Sequence, residues 1–226
     1  MSGGGILIFI FIAALVIAAA ICGALAAKKR REEMSALAAR LGLSFNPGTD
    51  RALASRFGFL DKLAQGSNRY AFNALSGEYQ REPVLVFDYH YETHSTSSKG
   101  HRQTHHHYFS FFILLLPRSF PELTIVREGM FSKLAQAFGY DDIDFESAEF
   151  SRTFCVRSKD KRFAYDVCNS QMMEYLLANR DLSVEIERDA LALAFGTRLS
   201  VTEIERNLNR LLEIRSRLPD YLFNPV

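Results

Sequence analysis

The chain has little net charge, few cysteines and no tryptophan, and the first two shortages exclude whole classes of function. Of its 226 residues, 27 are Lys or Arg and 26 are Asp or Glu, a formal net charge of +1. Four of the cations sit together at Lys28-Lys29-Arg30-Arg31; without them 23 basic residues face 26 acidic ones. A body of about −3 with mixed signs is not built to hold nucleic acid by counterion release. Three cysteines, Cys22, Cys155 and Cys168, make no disulfide framework, which fits a reducing compartment. A phosphate-binding glycine-rich loop, a Gly-x-Ser-x-Gly elbow and a His-Glu-x-x-His pair are all missing. No residue is therefore assigned a catalytic role. Internal repeats and long low-complexity linkers are missing too.

What is present begins with a second kind of absence. Ile6 to Ala27 contains no charged residue, no proline, no asparagine and no glutamine. At about 1.5 Å per residue such a helix crosses a hydrocarbon core of about 30 Å once, with little to spare. The basic run 28–31 follows directly, while Met1 to Gly5 carries no charged side chain. Basic flanks stay inside, so a single-pass inner-membrane protein is expected, N-terminus out and residues 28–226 cytoplasmic. A cleaved signal peptide fits less well, because its positive charge precedes a shorter apolar core.

Beyond the anchor and its basic stop, residues 1–31, the chain reads as a helical linker or stalk over 32–66. An α+β domain over 67–226 follows. Met34, Leu37 and Leu41 repeat at helical spacing up to Gly42. Thr49 or Asp50 caps a second helix carrying Leu53, Phe57, Leu60 and Leu63. Alternation then predicts strands over Arg69–Gly77, Val84–His94, His105–Leu116 and Glu122–Arg127, an antiparallel meander. A short helix over Met130–Phe138, a strand near Thr153–Arg157 and helices begun by Asp160 and Ser170 come next. Leu182–Ile186 and Leu191–Phe195 read as a hairpin turning at Arg188-Asp189. Ser200 and Glu203 have capping-box spacing, and Val201, Ile204, Leu208, Leu211 and Leu218 form the stripe of a last helix. The sum is a mainly antiparallel sheet of about seven strands with a C-terminal helix. That order is loosely like a pleckstrin-homology-type barrel.

Several short motifs, in order, are similar to those of a family of bacterial membrane-anchored proteins with a domain of unknown function. They are Phe87-Asp88-Tyr89, a polar turn with Gln103-Thr104, Phe109-Ser110 and Pro121-Glu122. Asp142-Ile143-Asp144-Phe145, Glu149-Phe150-Ser151-Arg152 and the spaced pair Asp160 and Ala164 follow. The resemblance covers about residues 40–200 and implies an anchor plus a cytoplasmic domain, with no catalytic residues to carry over. It departs at His105-His106-His107, where apolar residues are expected.

All six histidines lie between positions 90 and 107. His90 and His94 share a strand face. If the turn sets His94 opposite His105, then His107 joins them, and His90, His94, His105 and His107 form a zinc-type ligand set with Glu92 as oxygen donor. The competing reading is a solvated, polar hairpin tip. Asp141, Asp142, Asp144, Glu146 and Glu149 form an acidic stretch without the EF-hand pattern. The leading expectation is a binding or scaffold module of unknown ligand. Its partners would be the lipid bilayer, through Ile6–Ala27, and a membrane protein or second copy, with no resident cofactor unless zinc. The alternative is a metal-dependent enzyme or a metal or pH sensor on the His90–His107 hairpin. The enzyme form requires segments 90–107 and 141–149 to meet.

Overall fold

A computed structural model describes residues 3–97, 100–128 and 143–224, with side chains from Ile8 onward. The expected helix over Met130–Phe138, with Asp141 and Asp142, lies outside the described residues.

The apolar stretch and the helix expected after it are one element, α1 (Gly3–Leu41). Nothing between Ala27 and Glu32 breaks a helix, and the charged side chains there pair one turn apart, Lys28 with Glu32 and Lys29 with Glu33. Its apolar stretch is long enough to cross a membrane, with mean hydropathy 2.9 and none of it buried against the protein. The stripe at its C-terminal end is the reverse: Met34, Leu37 and Ala38 are buried in the main core. Residues 32–66 therefore do not stand off as a stalk; they pack on the sheet. Strand β1 (Ser44–Asn46), which no alternation announced, pairs with β2 (Ser67–Tyr79). Between them, α2 (Arg51–Arg56) is capped by Asp50, which accepts from the Leu53 amide at 2.7 Å, and α3 (Asp61–Ala64) follows.

The sheet runs β1-β2-β3-β4-β5, with β6 also on β4, all antiparallel. Among the described residues it has six strands, where about seven were expected, and it is not closed into a barrel. Strand β3 is Glu82–Thr96 and β4 is Arg102–Arg127, one 26-residue strand where two were expected. Helix α4 (Ala148–Thr153) leads into β5 (Phe154–Ser158), and α5 (Lys161–Val167) and α6 (Ser170–Ala178) follow. The last strand, β6 (Val184–Ala194), is also continuous: Arg188 turns no hairpin but sits at φ 52, paired with Phe120 of β4. Both errors have one cause. Each strand slips register there, and a slip of one residue moves the buried set to the other parity, just as a turn would. Ile186 and Leu191 thus face the same core across an odd spacing.

Helix α7 (Val201–Arg217) carries the expected capping box at Ser200 and Glu203 and buries Ile204, Leu208 and Leu211. Together with the end of α1, it covers the sheet face bearing Val84 and Val86. The opposite face, with Phe87, Tyr89 and Phe109, packs on Phe57 and Leu60, between α2 and α3, and on Leu63 of α3.

One buried carboxyl ties β6 to this second layer. Glu185 accepts the Asp61 amide at the start of α3. Burial, reinforced by the Asp61 carboxylate, pushes it up from 4.5 to about 8. The folded chain thus keeps a proton that the unfolded chain releases across this window, and stability falls as pH rises from 4.5 to about 8. Glu185→Gln is expected to flatten that fall. Thermal unfolding midpoints across the window check it, and an unchanged slope would count against a neutral Glu185.

Candidate functional site

Where α1 meets the sheet, the stripe Met34–Leu37–Leu41 extends one turn toward the N-terminus onto Arg30. Instead of reaching water with its three basic neighbours, Arg30 turns inward. Its Nε donates to Asp88 Oδ2 at 2.7 Å and its Nη2 to Asp88 Oδ1 at 2.6 Å, a bidentate fork. The Arg30 side chain is 12% exposed and that of Asp88 only 1%. Asn73 Nδ2 donates to Asp88 Oδ2 at 2.9 Å and Ser110 Oγ to Oδ1 at 3.2 Å. Each carboxylate oxygen therefore has two donors, which fills its acceptor capacity. Arg30 Nη1 donates to the Leu199 carbonyl at 2.7 Å, and the Leu199 amide donates to Ser110 Oγ at 3.0 Å. The anchor helix, three strands and the loop leading into α7 close on one buried charge pair.

Beside this clamp a cleft of about 570 Å³ opens between α1 and the sheet. Gly23, Ala26 and Ala27 form its helix wall, and Tyr70, Phe72 and Tyr108 its sheet wall. Arg31 and Arg198 also line it, and neither forms an ion pair among the described residues.

The histidines lie on the same hairpin, but not as expected. The Ser97 amide donates to the His101 carbonyl and Thr96 lies opposite Arg102, so His94 pairs with Thr104 and Glu92 with His106. That is one residue away from the expected register, and a one-residue shift exchanges faces. His105 and His107 consequently point away from His90 and His94. His107 stacks on Tyr91 with centroids 4.5 Å apart and meets Thr93 Oγ1 at 2.8 Å; His105 meets Ser95 Oγ at 2.9 Å. His94 contacts Thr104 Oγ1 and Ser67 Oγ. The groups that converge are His90, Glu92 and His106. Burial lowers the His90 pKa, so its imidazole is neutral near pH 7. The Asn68 carboxamide, and then the nearby imidazoles, hold Glu92 below its usual range.

Among the described residues, the acidic stretch does not join them. Ile143 bonds to Val156 of β5, which pairs with the far end of β4 at Leu123–Arg127, while Asp144 and Glu146 face solvent and Glu149 pairs with Arg180. Cys155 and Cys168 are buried, and burial raises the Cys168 thiol.

No family model and no curated protein matches the chain. One solved fold does. The crystal structure of the mycobacterial trehalose monomycolate transport factor A, TtfA, is similar with TM-score 0.55 at 14% identity. The match covers 87% of this chain and 97% of that one. The likeness is one of fold.

Two decisive residues escaped the sequence reading. Asp88 appeared only inside a motif, and Arg30 only as one of four stop charges. A signal existed for both: a lone acid within Val84–Tyr91, and a cation four residues before Met34 on the buried stripe. Removing one partner of such a pair strands the other charge. Asp88→Ala is expected to cost on the order of 3–5 kcal/mol and to raise amide exchange over residues 28–33. Thermal unfolding and hydrogen exchange of the detergent-solubilised chain check both; normal protection at 28–33 would mean that the fork does not hold the helix.

Proposed function

We propose that the chain is a membrane-anchored, non-catalytic binding module that scaffolds a membrane assembly. It works from the cytoplasmic face of a bacterial inner membrane, with its N-terminus outside. The Arg30–Asp88 clamp carries this reading. A domain that merely needs tethering is served by a flexible linker. A buried ion pair whose carboxylate has every acceptor site filled instead fixes one sheet face relative to the helix, which matters when something in or on the bilayer must meet that face.

The cleft supplies the surface. Gly23 and Ala27, four residues apart on its helix wall, have the spacing of small residues that lets two membrane helices approach closely. The occupant that fits is a transmembrane helix of a partner protein. The basic run 28–31 supports the orientation. The fold likeness to a protein named a transport factor supports a place beside membrane transport machinery.

A photo-crosslinking residue at Phe72 or Ala27 of the full chain, activated in intact membranes, is expected to give a defined adduct with one membrane protein. The same protein should co-purify stoichiometrically in mild detergent. Asp88→Asn should diminish both. A monomer that crosslinks only to lipid or to nothing would overturn the partner reading; an adduct between two copies of this chain would replace the partner by self-association.

A further inference from the structure

The imidazole cluster on the β3–β4 hairpin has more built into it than solvation requires. We propose that His90, Glu92 and His106 form a binding site for a divalent transition metal, with zinc the best fit. One ligand atom from each of His90, Glu92 and His106 lies within 4.8 Å of the other two. The two nitrogens are 3.1 Å apart, and His106 Nδ1 is 3.5 Å from Glu92 Oε1. Ligand atoms about 2.0–2.1 Å from a tetrahedral zinc stand roughly 3.3–3.4 Å from each other. Two edges of the ligand triangle therefore already have nearly the right length.

A hydrogen-bonded histidine pair would account for the first distance alone. It would not account for the support behind it. His90 Nδ1 lies 3.1 Å from the Asn68 carbonyl, the kind of contact that fixes a metal-bound imidazole in the tautomer leaving Nε2 to the ion. Asn68 Nδ2 donates to Glu92 Oε1 at 2.6 Å, so one residue orients two of the three donors. Asn68 manages this because β2 bulges between Ser67 and Tyr70 and places it at φ 49. Just before it, Gly66 at φ +63 presses so closely on the Glu92 carbonyl that a Cβ would stand 2.3 Å from that oxygen. Tyr70 and Tyr108 hold the His90 ring from either side, with centroids at 4.5 and 4.8 Å.

Among the described residues no lysine or arginine pairs with Glu92, so its charge is left to the imidazoles. Two nitrogens and one oxygen suit zinc and its neighbours rather than magnesium or calcium, which prefer all-oxygen shells. Three protein donors leave a fourth position to water. The site uses different residues from the Arg30–Asp88 clamp, so its failure would leave the scaffold reading untouched.

The test is titration of the full chain, purified in detergent without a histidine tag and stripped by chelator, with zinc alone and separately with cobalt. One equivalent should bind, and cobalt should show the visible spectrum of tetrahedral coordination. His106→Ala and Glu92→Gln are expected to weaken zinc binding by at least tenfold. Asn68→Gly, which keeps the left-handed backbone and removes the carboxamide, should weaken it by about 10–100-fold. His105→Ala and His107→Ala, on the other face, should leave it unchanged. Absence of stoichiometric binding would overturn the proposal. So would a loss on replacing His105 or His107 equal to that at His106, which would make the binding a property of the triple-histidine run.

Discussion

A guanidinium and a carboxylate taken out of water together must satisfy each other completely, and the Arg30–Asp88 pair sets the geometry around it for that reason. Desolvating both ions is recovered only when the pair's geometry is good and further hydrogen bonds support it. Asn73 must therefore lie beside Asp88, Ser110 across from it, and the Leu199 carbonyl at the third guanidinium nitrogen. These demands come from β2, β4 and the loop before α7, so the pair selects one arrangement of α1 against all three. Apolar contacts from Met34, Leu37 and Ala38 hold the helix on the core, but such contacts tolerate sliding. A bidentate fork does not.

The middle of β2 bears this out. The strand breaks register twice, and at each break an asparagine adopts a left-handed backbone, Asn68 at φ 49 and Asn73 at φ 50. Asparagine tolerates that conformation better than most residues. The first bulge sends a carboxamide to Glu92; the second sends one to Asp88. A regular strand would have kept both side chains in alternation. The bulges are how β2 serves the clamp and the histidine cluster while still pairing with β3.

The same features explain which parts of the molecule were legible in the sequence. The anchor, the strands β2 and β3, and the last helix with its capping box came through because each rests on local periodicity. The single strands β4 and β6 did not, since a paired bulge and a turn shift hydrophobic parity alike. At the site, the histidines and Glu92 were visible as a group, yet their partners depended on one residue of loop length. Setting His94 opposite His105 rather than Thr104 replaced His106 with two histidines on the wrong face. Arg30 was hidden by company: among four basic residues after an apolar run, nothing local marks the one that turns inward.

Position along β3 then matches position along α1. Val84 and Val86 share the core with Met34 and Leu37. Two residues further on, Asp88 meets Arg30, a turn earlier on the helix. Beyond that, His90 lies between Tyr70 and Tyr108, which share a cleft with Ala27, Ala26 and Gly23. Each step toward the hairpin tip is thus a step toward the membrane end of α1. Tyr70 and Tyr108 thus connect the imidazole cluster to the cleft wall formed by α1. The clamp therefore fixes which sheet face, and which part of it, lies against α1. The cleft and the imidazole cluster share Tyr70 and Tyr108, and both are positioned against α1 by the same buried pair.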